Sequence, residues 1–519
     1  MMFRQFLPLP LGILCIGVVH AALSVVEPGS STAAGDPSLA NLDQAQADQV
    51  AGQQLNRIQG PARAAGEAFL QGKFEEGVKI ARPLAEKGDP DALFLMALAH
   101  EGGKGVDLSR DKALQLHRRA ATKGHQDASL RVALLLLTSE LKNEREEART
   151  LLETMAKKDV TVAGRILGEA WLSGRLSDKP NAAKAIEWWA RSAAAGDLTS
   201  IRTLAGFYEG RLGFPELKDL KEAYKLYAKA ADGGDAGSML TLGSRLLLGE
   251  ESMRDEKRGR EWLEKAVAAG EFTACLVLGD YEENVRRDAK AALAAYERGK
   301  DGGQVDCMFR AAGFYLQGLG VKKDEARGKA LMVKAAQSGH PQAQFTVAMT
   351  LMGADQPDLG AIYLNLLASA NSNYGPAQNE LGLLYLTGKM GVADQTAGVG
   401  WLTRAAKLGS AAAQNNLGTL YEAGGGGLKQ DYTNAVELYS LAAKQGHMDA
   451  TRALIRLFSQ GPIELNLPRA WALASIAVER GDESVKDVRD QVAAKLSKDQ
   501  RAKADTILSD LKKAAAPSK

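Results

Sequence analysis

The amino-acid sequence predicts an all-α fold, an α/α superhelical solenoid of about eleven antiparallel helix pairs with a C-terminal helical cap. Three observations predict this class. A short turn recurs at spacings of 33 to 38 residues, small side chains follow each turn at fixed spacings, and charged amphipathic segments close the chain. Such a period is typical of stacked helical hairpins, because one hairpin cannot bury its apolar face alone.

The recurring turn is usually a glycine followed by aspartate, histidine or serine, and its first residue is called the turn position below. Glycine fits there because a left-handed residue often ends a helix, and glycine has no Cβ to oppose that conformation. The aspartate or serine after it is placed to cap the next helix. The turn positions are Gly88, Gly124, Asp159, Gly196, Gly234, Gly270, Gly303, Gly339, Asn373, Gly409, Gly446 and Gly481, with Asp159 and Asn373 as degenerate members.

Small residues stand four and nine positions after the turn position, and a large residue such as Trp171 or Tyr421 often stands twelve after it. These spacings place the three along one helical face, where small residues admit a neighbouring helix and the aromatic fills the gap. At position four they are Ala92, Ala128, Ala163, Ser200, Ser238, Ala274, Cys307, Ala343, Ala377, Ala413 and Ala450. At position nine they are Ala97, Ala133, Gly168, Ala205, Gly243, Gly279, Ala312, Ala348, Gly382 and Gly418, with Ile455 as the exception.

One unit carries the whole pattern. Residues 413–424 begin Ala413-Gln414, continue through Leu417-Gly418 and Tyr421, and are followed by Ala442-Ala443 and Gly446-His447. The pattern resembles Sel1-like repeats, relatives of tetratricopeptide repeats, over residues 61–480. The resemblance implies a right-handed superhelix of antiparallel helix pairs that binds other proteins. Some exported relatives carry a disulfide in each hairpin and bind β-lactam-like or peptidoglycan ligands; this chain lacks those cysteines, which weakens that implication.

The chain divides into four predicted segments. Residues 1–21 form a signal peptide, because Arg4 precedes an apolar run over residues 6–19 and small residues at Ala21 and Ala22. Residues 22–60 form a flexible tether, residues 61–480 the repeats, and residues 481–519 capping helices and a tail, with a capping box at Ser497 and Gln500. The mature chain is therefore expected to be exported, periplasmic or secreted, with no transmembrane segment.

Charge and cysteine content narrow the function classes. Lys plus Arg number 65 and Asp plus Glu 63, so no strong field attracts nucleic acid, and no nucleic-acid partner is expected. Cleavage of the signal peptide leaves Cys275 and Cys307. They stand on equivalent helices of adjacent repeats, so they either pair as a disulfide or fill small core positions as thiols, and the second reading is favoured.

Chemistry-bearing motifs are sparse, and we expect no catalytic residue, cofactor or metal. A Ser-x-x-Lys string at Ser109 and Lys112 has the spacing of a nucleophile and its amine in penicillin-recognising enzymes. It lacks the companion motifs, so Ser109 is interpreted as a helix cap. His125, His340 and His447 recur at one turn of different repeats, which indicates turn residues and not a clustered zinc site.

The candidate partner-binding surface is taken from the first helices, mainly from the residues six positions after each turn position. It comprises Arg165, Arg202, Phe309, Phe345, Met349, Met352, Asn379, Asn415 and Arg452. The alternative interpretation is that the apolar members are packing contacts between repeats. The sequence favours an exported scaffold or adaptor that binds proteins or peptides, in envelope assembly or polysaccharide export. The other hypothesis is an enzyme or glycan-binding protein that acts on peptidoglycan or β-lactams.

Overall fold

The computed structural model describes residues 54–158, 160–177, 179–389, 391 and 393–515, and within them the chain forms 26 α-helices and no strand. This confirms the all-α solenoid of helix pairs. The helices are α1 Arg63–Leu70, α2 Phe74–Glu86, α3 Pro90–Gly102, α4 Arg110–Thr122, α5 Gln126–Leu137, α6 Lys142–Lys157, α7 Thr161–Leu172, α8 Ala182–Ala194, α9 Leu198–Tyr208, α10 Leu220–Asp232, α11 Ala236–Leu248, α12 Glu256–Ala268, α13 Thr273–Tyr281, α14 Ala289–Asp301, α15 Val305–Gln317, α16 Glu325–Gln337, α17 Pro341–Met352, α18 Leu359–Asn371, α19 Gly375–Thr387, α20 Gln395–Lys407, α21 Ala411–Ala423, α22 Tyr432–Lys444, α23 Met448–Gln460, α24 Leu467–Glu479, α25 Lys486–Lys495 and α26 Lys498–Ala515.

The chain separates into two compact units, Met1–Ala274 and Cys275–Lys519. In the first unit, successive helices pair as antiparallel hairpins from α1/α2 to α11/α12. The second unit continues from α15/α16 to α23/α24 and ends with α25 and α26. Packed residues begin a little before the predicted boundary at residue 61, because Ile58 is 5% exposed and contacts Gly66.

The turn positions that the structure describes have the predicted backbone, and Asp159 lies outside the described residues. Gly88 has φ 85°, Gly234 has φ 94°, and the degenerate member Asn373 also has a positive φ of 59°. The residue after the turn position then caps the next helix. The Asp89 carboxylate accepts from the Ala92 backbone N–H at 2.8 Å, and the three predicted turn histidines cap in the same way through Nδ1. The turns therefore end one helix and start the next in a single motif.

The small residues mark where helices approach closely, as predicted. All eleven position-four side chains have 0% exposure. At position nine, a Cβ added to Gly168 would lie 2.3 Å from Trp189 Nε1, and one added to Gly382 would lie 2.9 Å from Leu402 Cγ. The second helix of each of these hairpins thus occupies the volume that a larger side chain would need.

The sixth repeat departs from the others. A π-helix at Glu282–Arg286 follows α13, and Arg287 ends it in the left-handed conformation with φ 59°. The sequence places Glu282 where most repeats have an aromatic residue, and this side chain is 8% exposed. Insertion of the wider turn replaces the glycine-rich link of regular repeats.

The terminal helices pack on the last repeat. The capping box is confirmed, because Ser497 N–H donates to Gln500 Oε1 at 3.0 Å and Gln500 N–H donates to Ser497 Oγ at 3.2 Å. Helix α26 lies along α24, where the Arg501 guanidinium stacks 3.8 Å from the Trp471 ring centroid. Part of the apolar face of the last hairpin is thereby covered.

Cys275 and Cys307 are both buried thiols, in agreement with the favoured prediction. The predicted signal peptide and most of the predicted tether lie outside the described residues. Among the helices that are described, none combines the length and the apolar character that a membrane crossing requires.

Candidate protein-binding surface

In six repeats, the residue six positions after the turn position contacts the residue that follows the next turn position. Aromatic members stack there: Phe309 lies 4.3 Å from the His340 ring, centroid to centroid. Arginine members form ion pairs with the capping aspartate, as in the 3.0 Å contact of Arg202 Nη1 with Asp235 Oδ1. The pairs are Phe94 with His125, Arg165 with Asp197, Arg202 with Asp235, Phe309 with His340, Phe345 with Tyr374, and Arg452 with Asp482.

These pairs are the contacts that the packing alternative expects. Phe309 and Phe345 are half-buried and contact the next repeat, Phe309 stacked on His340 and Phe345 in a T-shaped contact with Tyr374. Arg202 and Arg452 keep 46% and 45% of their side chains exposed, so their outer edges remain accessible to a partner. The main role of the position-six side chains is therefore to hold neighbouring repeats together. The arginines at this position are in addition partly exposed to solvent.

The other predicted residues differ in exposure. Met349 is 37% exposed and Met352 is half-buried on the same helix, α17. Asn379 is only 5% exposed, and its amide is engaged: Oδ1 accepts from Asn416 Nδ2 at 2.9 Å and Nδ2 donates to Glu380 Oε1 at 3.1 Å. Asn379 therefore bridges α19 to α21 and offers little to a ligand.

A cleft of about 510 Å³ brings two of the predicted residues together. Asn415 of α21 and Arg452 of α23 both line it, with Tyr439 of α22 at its base. The remaining lining residues are Thr419, Glu422, Ala423, Asp449, Ala453 and Arg456. The cleft presents an amide and two guanidinium groups at the surface, groups suited to hydrogen-bond a peptide backbone or a carboxylate.

A network of hydrogen bonds and an ion pair lies at the base of the cleft, and it was not predicted from the sequence. The Tyr439 hydroxyl donates to Glu422 Oε2 at 2.9 Å, and Arg456 of the next repeat pairs with the same carboxylate. Burial, together with the hydrogen bond to Glu422, raises the pKa of Tyr439 to about 12. Its hydroxyl therefore remains a proton donor at neutral pH, and the glutamate stays fixed between two donors.

The same arrangement recurs in other repeats. Each joins a buried residue of a second helix, an acid of its own first helix and an arginine of the following first helix. The sets are His117, Glu101 and Arg131; Tyr227, Glu209 and Arg245; Tyr296, Asp280 and Arg310; and Tyr439, Glu422 and Arg456. A signal was available, because the acids of three sets, Glu101, Glu209 and Glu422, stand thirteen positions after a turn position. Glu283 stands at the same position in the remaining repeat and accepts a second hydrogen bond from Tyr296 at 2.7 Å.

The motifs considered for catalysis have structural roles. Ser109 Oγ accepts from the Lys112 backbone N–H at 3.3 Å, so it caps α4 as predicted. The histidines at the turns are separated by whole repeats, and in the part of the chain that is described no group of three or more His, Cys, Asp or Glu side chains could hold a metal ion.

Comparison with a family model matches the Sel1 repeat at seven places. They are residues 90–125, 167–197, 204–235, 236–271, 305–340, 375–410 and 411–447. The matches begin close to the turn positions in five of the seven cases, so the family period and the observed helix pairs coincide.

Two solved structures are similar to this chain. The crystal structure of c5321, a protective antigen of uropathogenic Escherichia coli strains with an SLR fold, is 23% identical, with a TM-score of 0.50 over 85% of this chain and 95% of that one. A Sel1 repeat protein from Oxalobacter formigenes is 24% identical over 63% of this chain and 93% of its own, with a TM-score of 0.48. The likeness to the first structure supports the fold alone.

One curated relative has a described role. Chitin synthase regulatory factor 3 of Schizosaccharomyces pombe is 28% identical over 271 residues, which are 49% of this chain. The matched region spans only 28% of the yeast protein's length.

Proposed function

This chain is a Sel1-like repeat protein, and from that premise we propose that it is an exported scaffold that binds partner proteins of envelope assembly or polysaccharide export. Sel1 repeats indicate a protein–protein interaction scaffold. The observation that carries the proposal is the cleft between α21 and α23, where Asn415, Arg452 and Arg456 offer hydrogen-bond donors between two successive repeats.

Export is supported by the N-terminal pattern of Arg4, the apolar run over residues 6–19 and the small residues at Ala21 and Ala22. The link to polysaccharide is supported by the yeast relative, which is named as a regulatory factor of chitin synthase. A scaffold needs no catalytic group of its own. It acts by holding a partner in place, and this agrees with the capping and bridging roles of the polar residues above.

Photo-crosslinking tests the binding surface. A photoreactive amino acid placed at Asn415 in the full chain should trap a partner in intact producing cells, and the same group at the exposed Lys407 should not. With the purified partner, Asn415→Ala combined with Arg456→Gln should weaken binding about ten-fold, since hydrogen bonds to charged groups are lost. Lys407→Gln is the control, and equal affinity of both variants would overturn the assignment.

Export is tested separately. Replacing Leu14→Asp places a charge in the apolar run and should leave the uncleaved chain inside the cell. Cell fractionation with markers for each compartment measures this outcome. Export that persists in this variant would contradict the signal-peptide proposal and leave the binding result unaffected. Nitrocefin and muropeptide hydrolysis by the purified chain would instead favour the enzyme hypothesis.

A further inference from the structure

A cavity of about 670 Å³ lies at the end of the repeats, on the opposite side of α23 from the cleft. Thr451 and Leu454 of α23 face it, whereas Arg452 and Arg456 face the cleft. Residues three apart share one side of a helix, so α23 separates the two sites. The cavity has the volume of sites that enclose small organic ligands.

The interior of the cavity is apolar. Leu454, Leu473 and Ile476 are buried at its walls, and Ile507 and Leu511 of α26 are half-buried opposite them. Four helices, α22, α23, α24 and α26, contribute these walls. A space of about 670 Å³ between four helices has the size of a small-molecule site, which suits an alkyl chain.

Basic side chains surround this apolar space. Lys444, Arg469 and Arg480 are all exposed and line the cavity, against the single carboxylate of Asp510. None of these three cations forms an ion pair with any residue in the described ranges; Arg469 instead stacks 5.1 Å from the Phe458 ring centroid. Asp510 lies 3.8 Å from Lys513 Nζ, which draws it toward another cation. The rim is thus complementary to an anion.

Helix α26 contacts α24 before and after the residues that line the cavity, and the cavity is present between these contacts. Arg501 stacks on Trp471, and Lys512 Nζ contacts Glu479 Oε1 at 2.7 Å. Protein interiors normally collapse around apolar space, because an empty wall loses its dispersion contacts. Helix α26 is held in place by these two contacts and still leaves apolar walls of the cavity uncovered. The cavity is therefore a preformed site.

We infer that this cavity binds a long-chain amphiphile with an anionic head group, its alkyl chain between α23, α24 and α26 and its carboxylate or phosphate between Lys444, Arg469 and Arg480. Both head groups share the chemistry that guanidinium and ammonium groups recognise. The inference goes beyond the scaffold role, and most of the lining follows residue 447, where the last matched Sel1 repeat ends.

The test uses the full mature chain and a set of twelve-carbon probes below their micelle concentrations. Isothermal titration should show binding of dodecyl phosphate and dodecanoate, and no binding of dodecyltrimethylammonium or inorganic phosphate. Dodecanol isolates the apolar contribution and should bind about ten-fold more weakly than dodecyl phosphate, since the charge-assisted hydrogen bonds are missing. Comparing phosphate with carboxylate identifies the preferred head group.

A charge-reversal variant with a matched control completes the test. Lys444→Glu together with Arg480→Glu should lower dodecyl phosphate affinity about ten-fold or more. Lys407→Glu is the matched control, because Lys407 stands two residues before Gly409 as Lys444 does before Gly446. Both lysines lie in the last turn of a second helix, so the helix-dipole cost of reversal is the same.

A second variant tests the interior. Ala443→Phe puts a ring into the cavity from the half-buried end of α22 and should abolish binding of every probe while far-UV circular dichroism stays unchanged. Equal binding of dodecanol and dodecyl phosphate, or unchanged affinity after charge reversal, would overturn the anionic assignment. Failure of all alkyl probes, with binding of an acidic leucine-rich helical peptide instead, would identify a peptide site and overturn the proposal.

Discussion

Replacing Gly279→Ala should destabilise the second unit, although alanine is the better helix former. A Cβ at this position would lie 2.3 Å from Tyr296 Cε1 and 2.5 Å from Cδ1, far inside the usual carbon–carbon contact distance of about 3.5–4.0 Å. Tyr296 has no room to move, since it is fully buried. Its hydroxyl lies 2.7 Å from Asp280 Oδ1 and 2.7 Å from Glu283 Oε2.

The magnitude follows from three contributions. Overpacking costs about 1–3 kcal/mol, and loss of the tyrosine hydrogen bond to a carboxylate costs about 1.5–3 kcal/mol when the ring is displaced. Replacing a glycine with alanine in a helix interior raises the free energy of unfolding by about 1 kcal/mol, which offsets part of this loss. We therefore expect the free energy of unfolding to fall by about 1.5–5 kcal/mol.

Gly313→Ala is the matched control in the same unit. Gly313 lies inside α15, and a Cβ there would meet nothing within 4 Å. This variant should gain about 1 kcal/mol from helix propensity alone. Urea unfolding followed by far-UV circular dichroism measures both. If the two alanine variants unfold at the same urea concentration, close helix approach at position nine does not constrain the fold and the reasoning is wrong.

Three further predictions concern pH, capping and thiol reactivity. Burial lowers the pKa of His117 and of His125, so below about pH 6.5 the unfolded chain binds more protons than the folded chain. The free energy of unfolding should therefore fall as the pH drops from there, until the lower folded pKa values are passed. His125→Asn keeps a capping acceptor and should reduce this loss, measured by urea unfolding between pH 7 and 5. Asp235→Ala removes both a helix cap and an arginine partner and should cost about 1–2 kcal/mol in the same assay. Burial raises the pKa of Cys307, so an aromatic disulfide reagent should modify Cys307 and Cys275 far more slowly in the native chain than in urea.

Each of these has a contradicting result. A pH slope that stays unchanged in His125→Asn would assign the acid sensitivity to other groups. A stability loss equal to that of an exposed aspartate elsewhere would deny the capping role of Asp235. Rapid native-state labelling of the thiols would mean that their helices open far more readily than a packed core allows.

The repeat architecture could be predicted because only small residues fit where the backbones of paired helices lie close together. Gly168 and Gly279 each face an aromatic ring of the paired helix, and a larger side chain at either place would collide with it. Position four is fully buried in every repeat for the same reason. Such positions must recur with the period of the fold, so their spacing predicts the fold without any knowledge of the contacts.

The binding surface was harder to predict, because exposure on a first helix depends on residues one repeat away. Phe345 looks available in the sequence, yet its ring makes a T-shaped contact with Tyr374, with the centroids 5.5 Å apart. Asn379 is engaged by Asn416, 37 positions later. Asn415 and Arg452, two of the nine predicted residues, meet in one cleft, and predicting this required the positions of α21 and α23 in space.

The sequence by itself determined the helix pairs, their turns, their caps and the burial of the small residues, because each follows from local spacing and backbone conformation. The tertiary structure alone decided which polar groups pair across repeats, as in the Tyr439, Glu422 and Arg456 network, and where packing leaves space beside α26. Acids of these networks recur thirteen positions after a turn position, but their partners and the space beside α26 are decided only when helices far apart in the chain come together.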